Sequence, residues 1–132
     1  RSRPVVFPVH PRTHKRIGEL GLDTAGGAVK LVEPMGYLDF LALESAASLV
    51  LTDSGGVQEE TAYLGVPCLT LRPNTERPVT IESGTNRLVR STADDIVGAV
   101  SAMDGGSGTT HTIPELWDGH ASDRIADILS SA

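Results

Sequence analysis

Asp53-Ser54-Gly55-Gly56 stands between the apolar run Leu49-Val50-Leu51 and the segment Val57-Gln58-Glu59-Glu60. Those residue types at that spacing could hold an anion. An apolar run that stops at a glycine turn and continues in a helical pattern is a strand feeding a helix. Such a turn leaves several backbone N–H groups without intrahelical partners, inside the positive field of the helix N-terminus. A phosphate fits there, and paired glycines remove the Cβ atoms that would keep it off the backbone. The spacing is neither GxGxxG nor a Walker A loop, so the dinucleotide and P-loop readings lose their main support. A plainer reading stands beside the phosphate one. The turn is then a tight connection capped by Asp53 or Ser54, with Glu59 and Glu60 complementing the helix dipole.

Other residues carry similar pairs of readings. Glu60 is a carboxylate that could accept from two vicinal hydroxyls through charge-assisted bonds, or a first-turn helix acid. Arg77, in Thr75-Glu76-Arg77-Pro78, could fork onto phosphate oxygens or pair with Glu76. Phe40 could face a flat base or belong to the core. His10 follows the first apolar run and could reach a ligand, or cap the next helix. Cys68 is the only cysteine, which excludes an internal disulfide and a thiolate metal cluster; in its apolar run it reads as an inert core residue. The four histidines lack a metal-ligand spacing, His10 and His14 being the nearest approach, so no metal site is expected.

The elements that must position these residues alternate. Val5–Val9 reads as a strand, and Pro11 to Leu20 as a helix with proline near its start and Gly21 as its stop. Val29–Val32 is a second strand. Gly36 to Ala47 reads as a helix with Leu38, Leu41, Ala42 and Ser45 along one face. Ser48–Thr52 is the third strand, Gln58–Leu64 a helix ended by Gly65, Pro67–Leu71 the fourth strand and Arg87–Val89 the fifth. Thr92–Met103 is an amphipathic helix with Ile96, Val97 and Val100 inward. Gly105-Gly106-Ser107-Gly108 reads as a surface turn or loop, and His120–Leu129 as a last helix with Ile125, Ile128 and Leu129 on one side. Strands alternating with helices predict an α/β fold whose parallel sheet is covered on both faces. Near-continuous Val/Leu strands fit full burial. Ligands in such sheets bind beyond the carboxyl ends of the strands. The segments after Val32, Leu51 and Leu71 all belong to that edge.

At 132 residues the chain reads as one domain, long enough to bury about two-thirds of its unfolded surface. Hydrophobic residues make up 39%, and no segment nears the roughly 18 apolar residues of a membrane helix. The start, Arg1-Ser2-Arg3-Pro4, has no signal-peptide apolar region, and a cytoplasmic location is expected. A strand that begins at Val5 without an initiator Met suggests a piece of something longer. Formal net charge is −6 and the eleven basic residues form no run, which argues against nucleic acid. An acidic surface with a few placed arginines suits a small anionic ligand.

The string from Leu51 through Thr61-Ala62-Tyr63-Leu64-Gly65-Val66-Pro67-Cys68-Leu69-Thr70-Leu71-Arg72 continues into Asn74-Thr75-Glu76-Arg77-Pro78 and Gly84-Thr85-Asn86-Arg87-Leu88-Val89. In that order these segments resemble the C-terminal half of a non-hydrolysing UDP-N-acetylglucosamine 2-epimerase. Pro8-Val9-His10-Pro11 and Trp117-Asp118-Gly119-His120-Ala121 resemble the same family, so the likeness runs through nearly the whole chain. It implies a Rossmann-like three-layer αβα domain with a parallel sheet, the C-terminal half of a GT-B-type fold. It also implies the UDP-binding half of an isomerase that interconverts UDP-GlcNAc and UDP-ManNAc for surface polysaccharide precursors, with no cofactor.

By the same resemblance Ser54, Gly55 and Gly56 hold the diphosphate and Glu60 binds the ribose. Arg77 lies near the phosphates and sugar, and Phe40, in a Pro-x-x-Tyr-x-x-Phe pattern from Pro34, packs on uracil. Many relatives carry a Gln that bonds the base where Met35 stands here; a thioether cannot read a base edge, which leaves the Met35 backbone for that role. Some bacterial members bind a second nucleotide-sugar near the position of His10. Val79 stands where relatives often have Glu, and Asp118, His120 and Arg124 read as structural. The reaction eliminates UDP and adds it back to a glycal, which needs carboxylates to move protons. In the family those acids lie in the N-terminal domain, so no catalytic residue is assigned within this chain. The isolated chain is expected to be inactive. Its expected partners are UDP-GlcNAc or UDP and the N-terminal domain of the same enzyme, with a homodimeric parent, since family members are often dimers. The alternatives are the nucleotide-sugar half of a GT-B glycosyltransferase, which shares a Ser-Gly-Gly turn and a ribose-binding glutamate, and a non-catalytic nucleotide-binding module.

Overall fold

A computed structural model describes residues 4–22, 25–104 and 111–131. The chain divides into two compact units, residues 1–40 and 41–132, and each is described by itself. In the first, strand β1 (Val5–Pro8) pairs in parallel with β2 (Val29–Val32), Val5 opposite Val29 and Pro8 opposite Val32. Helix α1 (Pro11–Glu19) and a 3-10 turn at Ala25–Gly27 connect them. Pro11 opens α1 and Leu20 caps its end; Gly21 follows with a positive φ of 58°, which only glycine adopts without strain. The expected burial of the first strand does not hold: Val5, Val6 and Phe7 are 39–50% exposed. The reason is local. Its helix is mostly polar, with no buried residue, and Ile17 is the one aliphatic side chain it can offer the strand.

Helix α2 (Tyr37–Ser45) carries the chain into the second unit. There β3 (Val50–Thr52), α3 (Gly55–Leu64), β4 (Cys68–Thr70), the short α4 (Val79–Glu82), β5 (Asn86–Leu88), α5 (Ala93–Asp104) and α6 (Ala121–Ser130) follow in order. Pairing is parallel, in the order β3-β4-β5, with Thr52 opposite Thr70 and Thr70 opposite Leu88. All three residues of the central β4 are buried. Leu69 packs with Val89 and Ala99, and Leu49, Leu71, Ile96, Val100 and Met103 close round them. Gly65 ends α3 in the left-handed conformation at φ 73°, as its place after Leu64 predicts.

Three expected apolar faces differ from what is observed. On α5 the inward stripe is Ile96, Ala99, Val100 and Met103, the i, i+3, i+4, i+7 spacing of one helix face. Val97 falls outside that stripe and is 65% exposed. On α2, Leu38, Ala42 and Ser45 are exposed and the buried side chain is Glu44. On α6, Ile125, Ile128 and Leu129 do share a side, but none is covered by the described residues. The glycine stretch 105–108 lies outside the described residues.

Candidate functional site

The turn after β3 opens α3 directly. Ser54 is the N-cap, with extended backbone, yet its hydroxyl makes no capping bond. Its N–H instead donates to Thr52 Oγ1 at 3.0 Å. The capping reading therefore does not account for the Ser54 side chain. Neither Gly55 nor Gly56 has a positive φ. A Cβ on Gly55 would meet nothing within 4 Å, and one on Gly56 only the Ser54 hydroxyl at 4.0 Å. The fold itself thus has no need of glycine at either position, although glycine is the poorest helix former after proline. Gly84 is the contrast: its Cβ would lie 2.5 Å from the Thr80 carbonyl oxygen, so packing alone requires it. The bare backbone at Gly55 and Gly56 faces open space.

A buried polar network ties this turn to the Arg77 loop. The Gln58 amide nitrogen donates to the Ser54 carbonyl at 3.1 Å. Its oxygen accepts from Thr75 Oγ1 at 2.5 Å and from Asn86 Nδ2 at 3.2 Å. Asn86 also donates to Thr80 Oγ1 and accepts from Thr70 Oγ1. Thr75 Oγ1 accepts the Arg77 N–H at 3.0 Å, and Thr80 Oγ1 donates to the Arg77 carbonyl at 2.7 Å. A fully satisfied network of this kind rigidifies what it connects. Two of the three segments expected at the carboxyl edge, those after β3 and β4, are brought together by it. Arg77 itself is partly exposed. Its Nε lies 2.7 Å from Glu59 Oε1, a close ion pair whose N–H is not aimed for a hydrogen bond. Glu76 is farther, at 3.8 Å, so the arginine is held chiefly by Glu59.

Glu60 sits half-buried on α3, next to Glu44 of α2. Burial first, and then the nearby Glu60 carboxylate, push the Glu44 carboxyl up to about 7. Burial likewise raises the Cys68 thiol, against hydrogen bonds from Thr61 and Thr70. That environment fits the inert-core reading of Cys68.

The remaining candidates belong to the first unit. His10 caps α1, its Nδ1 accepting the Arg12 N–H at 3.2 Å. Met35 and Phe40 are partly buried just before and inside the first turn of α2. Near the end of the chain the Arg124 guanidinium pairs with Asp118 and holds that carboxyl down at about 2, and His120 meets Asp123 at 2.9 Å. These contacts are structural. A cleft of about 380 Å³ along β5 and α5, lined by Arg87, Arg90, Asp94 and Asp95 among others, contains none of the expected ligand residues. Among the described residues no three His, Cys, Asp or Glu are placed to hold a metal, and no helix is long and apolar enough to cross a membrane.

Gln58, Glu59, Thr75, Asn86 and Glu44 were not picked out as site residues from the sequence. All but Glu44 stood inside the quoted strings. The available signal was polar side chains at positions whose neighbours are buried, which periodicity alone does not separate from a solvated face.

A parallel α/β unit with a bare glycine turn at the carboxyl edge of its strands defines the class: a Rossmann-like fold. The particular family follows from comparison with known proteins. The family model described as UDP-N-acetylglucosamine 2-epimerase matches residues 1–130, and the chain belongs to that family. It is 49% identical over 105 residues to a UDP-N-acetylglucosamine 2-epimerase of Methanococcus maripaludis, covering 77% of this chain and 29% of the relative. It is 42% identical over 128 residues to a UDP-2,3-diacetamido-2,3-dideoxy-D-glucuronate 2-epimerase of Pseudomonas aeruginosa, covering 96% and 35%. Among solved structures it resembles the Methanocaldococcus jannaschii UDP-GlcNAc 2-epimerase in complex with UDP-GlcNAc and UDP. The TM-score is 0.83 at 44% identity, covering 98% of this chain and 36% of that one. The Neisseria meningitidis UDP-GlcNAc 2-epimerase bound to UDP-GlcNAc also scores 0.83, at 33% identity over the same shares. The expected fold class, α/β and Rossmann-like as in the C-terminal half of a GT-B fold, stands on these neighbours. The chain spans about a third of the length of the relatives it matches, the covered share of each being 29–36%.

Proposed function

We propose that residues 1–132 act as the UDP-binding C-terminal domain of a UDP-GlcNAc 2-epimerase. The observation that carries this reading is the glycine pair at the start of α3. Its backbone is bare without any internal cause, and the Ser54 hydroxyl beside it is free of capping duty. A diphosphate accounts for both. The N–H groups of the first turn and Ser54 Oγ take its oxygens, and Arg77 supplies a cation at the same sheet edge. Glu60, on the same helix, accepts from the ribose hydroxyls. Phe40 packs on uracil, the Met35 backbone meets the base edge, and His10 serves a second nucleotide-sugar with its uncommitted Nε2.

The parent reaction interconverts UDP-GlcNAc and UDP-ManNAc. The C2 proton and UDP leave the sugar, and both return, the proton to the opposite face. The acids and bases for those transfers come from a second domain, so this chain alone turns over nothing, and closure of that domain completes the cleft. The parent works in the cytoplasm, as a homodimer. The Pseudomonas aeruginosa relative favours one variant of this reading, with the same UDP half serving an epimerase of a diacetamido uronic acid.

Titration with UDP tests the proposal. Saturable binding that Glu60→Ala and Arg77→Ala each weaken about tenfold, the size of one charge-assisted contact, is the expected result. Binding indifferent to both changes, in this chain and in the full-length protein, would overturn it. Assaying the full-length protein for epimerisation against sugar transfer separates it from the glycosyltransferase alternative.

A further inference from the structure

We propose that Glu44 is a positioning residue for Glu60: a buried carboxyl beside it that keeps its proton and donates it in a hydrogen bond to the Glu60 carboxylate. The second Glu60 oxygen is then left facing the ribose hydroxyls. This inference rests on the reading that Glu60 takes the ribose.

The geometry comes first. Glu44 is 3% exposed, and both of its carboxyl oxygens are shielded from solvent with no hydrogen-bond donor. None of the ion pairs among the described residues includes it. An ionised carboxylate so placed is far from its best solvation. The ionisable groups facing it are Glu60 on α3 and the Cys68 thiol on β4. The thiol is itself raised and stays neutral. Glu60 is an acceptor when charged, so contact between the two carboxyls becomes a bond only when one of them holds a proton. Like charges this close do not both ionise. Glu60 is the more exposed of the two, so the charge settles there and the proton on Glu44. The rise of the Glu44 carboxyl to about 7 agrees with that assignment.

The bond has a consequence for binding. A carboxylate anchored through one oxygen presents the other in one orientation, with less rotamer freedom to lose when a ligand arrives. Once Glu44 ionises, the anchor becomes a repulsion and Glu60 is driven from its place. Nucleotide affinity should therefore fall as the pH rises through about 7. A buried glutamine would anchor Glu60 without that sensitivity, and a leucine would not anchor it at all.

Two measurements on the full chain test the idea. The first follows the glutamate carboxyl carbons by NMR in the ligand-free protein. One carboxyl should titrate near 7, vanish in Glu44→Gln, and move toward the ordinary glutamate range in Glu60→Gln. The second measures UDP-GlcNAc affinity between about pH 5.5 and 8.5; this ligand's diphosphate is a diester and takes up no proton in that range, unlike UDP. Wild type should weaken roughly tenfold across it, the loss of one charge-assisted bond. Glu44→Gln should hold the low-pH affinity throughout, and Glu44→Leu should bind weakly at every pH. A flat wild-type profile, or an unchanged profile in Glu44→Gln, overturns the proposal, as does the absence of a high-titrating carboxyl. If that carboxyl appears but UDP-GlcNAc binds at no pH, the nucleotide reading falls and with it the ribose-positioning role. If UDP-GlcNAc binds with the affinity of wild type in Glu60→Ala, the ribose assignment falls and the positioning role of Glu44 falls with it.

Discussion

The two faces of the β3-β4-β5 sheet are built from the same strands and by opposite means. Toward α5, Leu69 meets Val89 and Ala99 in an apolar cluster. Toward α3, the neighbours of Leu69 in the strand, Cys68 and Thr70, are equally buried, but Thr70 joins Asn86, Gln58 and Thr80 in hydrogen bonds. Every candidate phosphate and ribose residue of this unit hangs on the polar face. An apolar cluster is non-directional and tolerates small shifts. A hydrogen-bond network holds only within tight distances and angles. The face that carries Ser54 and Arg77, the residues proposed to hold the diphosphate, is the directional one, and the apolar face is not.

The difference can be broken from either side. The largest effect is expected on the apolar face. Leu69→Ala, at a fully buried position, should cost about 2–5 kcal/mol in urea unfolding, while the fraction that stays folded binds UDP as wild type does. Next is Gln58→Leu, which keeps volume but removes one hydrogen bond each from Thr75 Oγ1, Asn86 Nδ2 and the Ser54 carbonyl. It should cost about 1–3 kcal/mol and, unlike Leu69→Ala, should also weaken UDP binding in the folded protein. Calorimetric titration below the unfolding midpoint separates the two outcomes.

A third prediction concerns pH. The Glu44 carboxyl titrates at 4.5 in the unfolded chain and at about 7 in the folded one. Between those values the folded state binds the extra proton, so stability falls as the pH rises from about 4.5 to about 7. Melting curves should show that slope and lose it in Glu44→Gln. The slope belongs to the polar side alone. The smallest change is Gly56→Ala. The added methyl has room and a compatible φ, so stability should rise by about 0.4–1 kcal/mol. UDP binding should drop because the methyl fills space kept for the ligand. A variant that is both more stable and still binds would remove the main support for a phosphate at this turn.

Much of the arrangement was legible beforehand for reasons that can be named. The strand-turn-helix at Leu51 to Leu64 announces itself by an apolar run, two glycines and a left-handed Gly65 stop. The parallel pairing follows from the alternation of strands with helices, and the helix that carries Glu60 opens at Gly55, somewhat ahead of its expected start. Less legible were the inward faces. On α2 the hydrophobic pattern points to Leu38, whereas the buried residue is Glu44, with Glu60 of α3 beside it. On α5 the stripe takes Ala99 in place of Val97, two positions on, a rotation set by where Leu69 and Val89 stand. Arg77 does pair with Glu76 as expected, and its closer partner was hidden for a similar reason. Glu76 is adjacent in sequence, but Glu59 reaches it from α3.

What the sequence determined by itself was local and compositional: α/β alternation, the bare glycine turn, the lone inert cysteine, and a string specific enough to name the family. These depend on backbone sterics, helix-end chemistry and residue order, which need no distant contact. The tertiary structure alone decided which polar side chains face one another. Gln58 lies 28 residues from Asn86, and Glu44 meets a carboxylate on a different helix. A proton shared between two acids, or an amide shared among three hydrogen bonds, exists only when packing closes both partners away from water, because water would otherwise satisfy each of them separately.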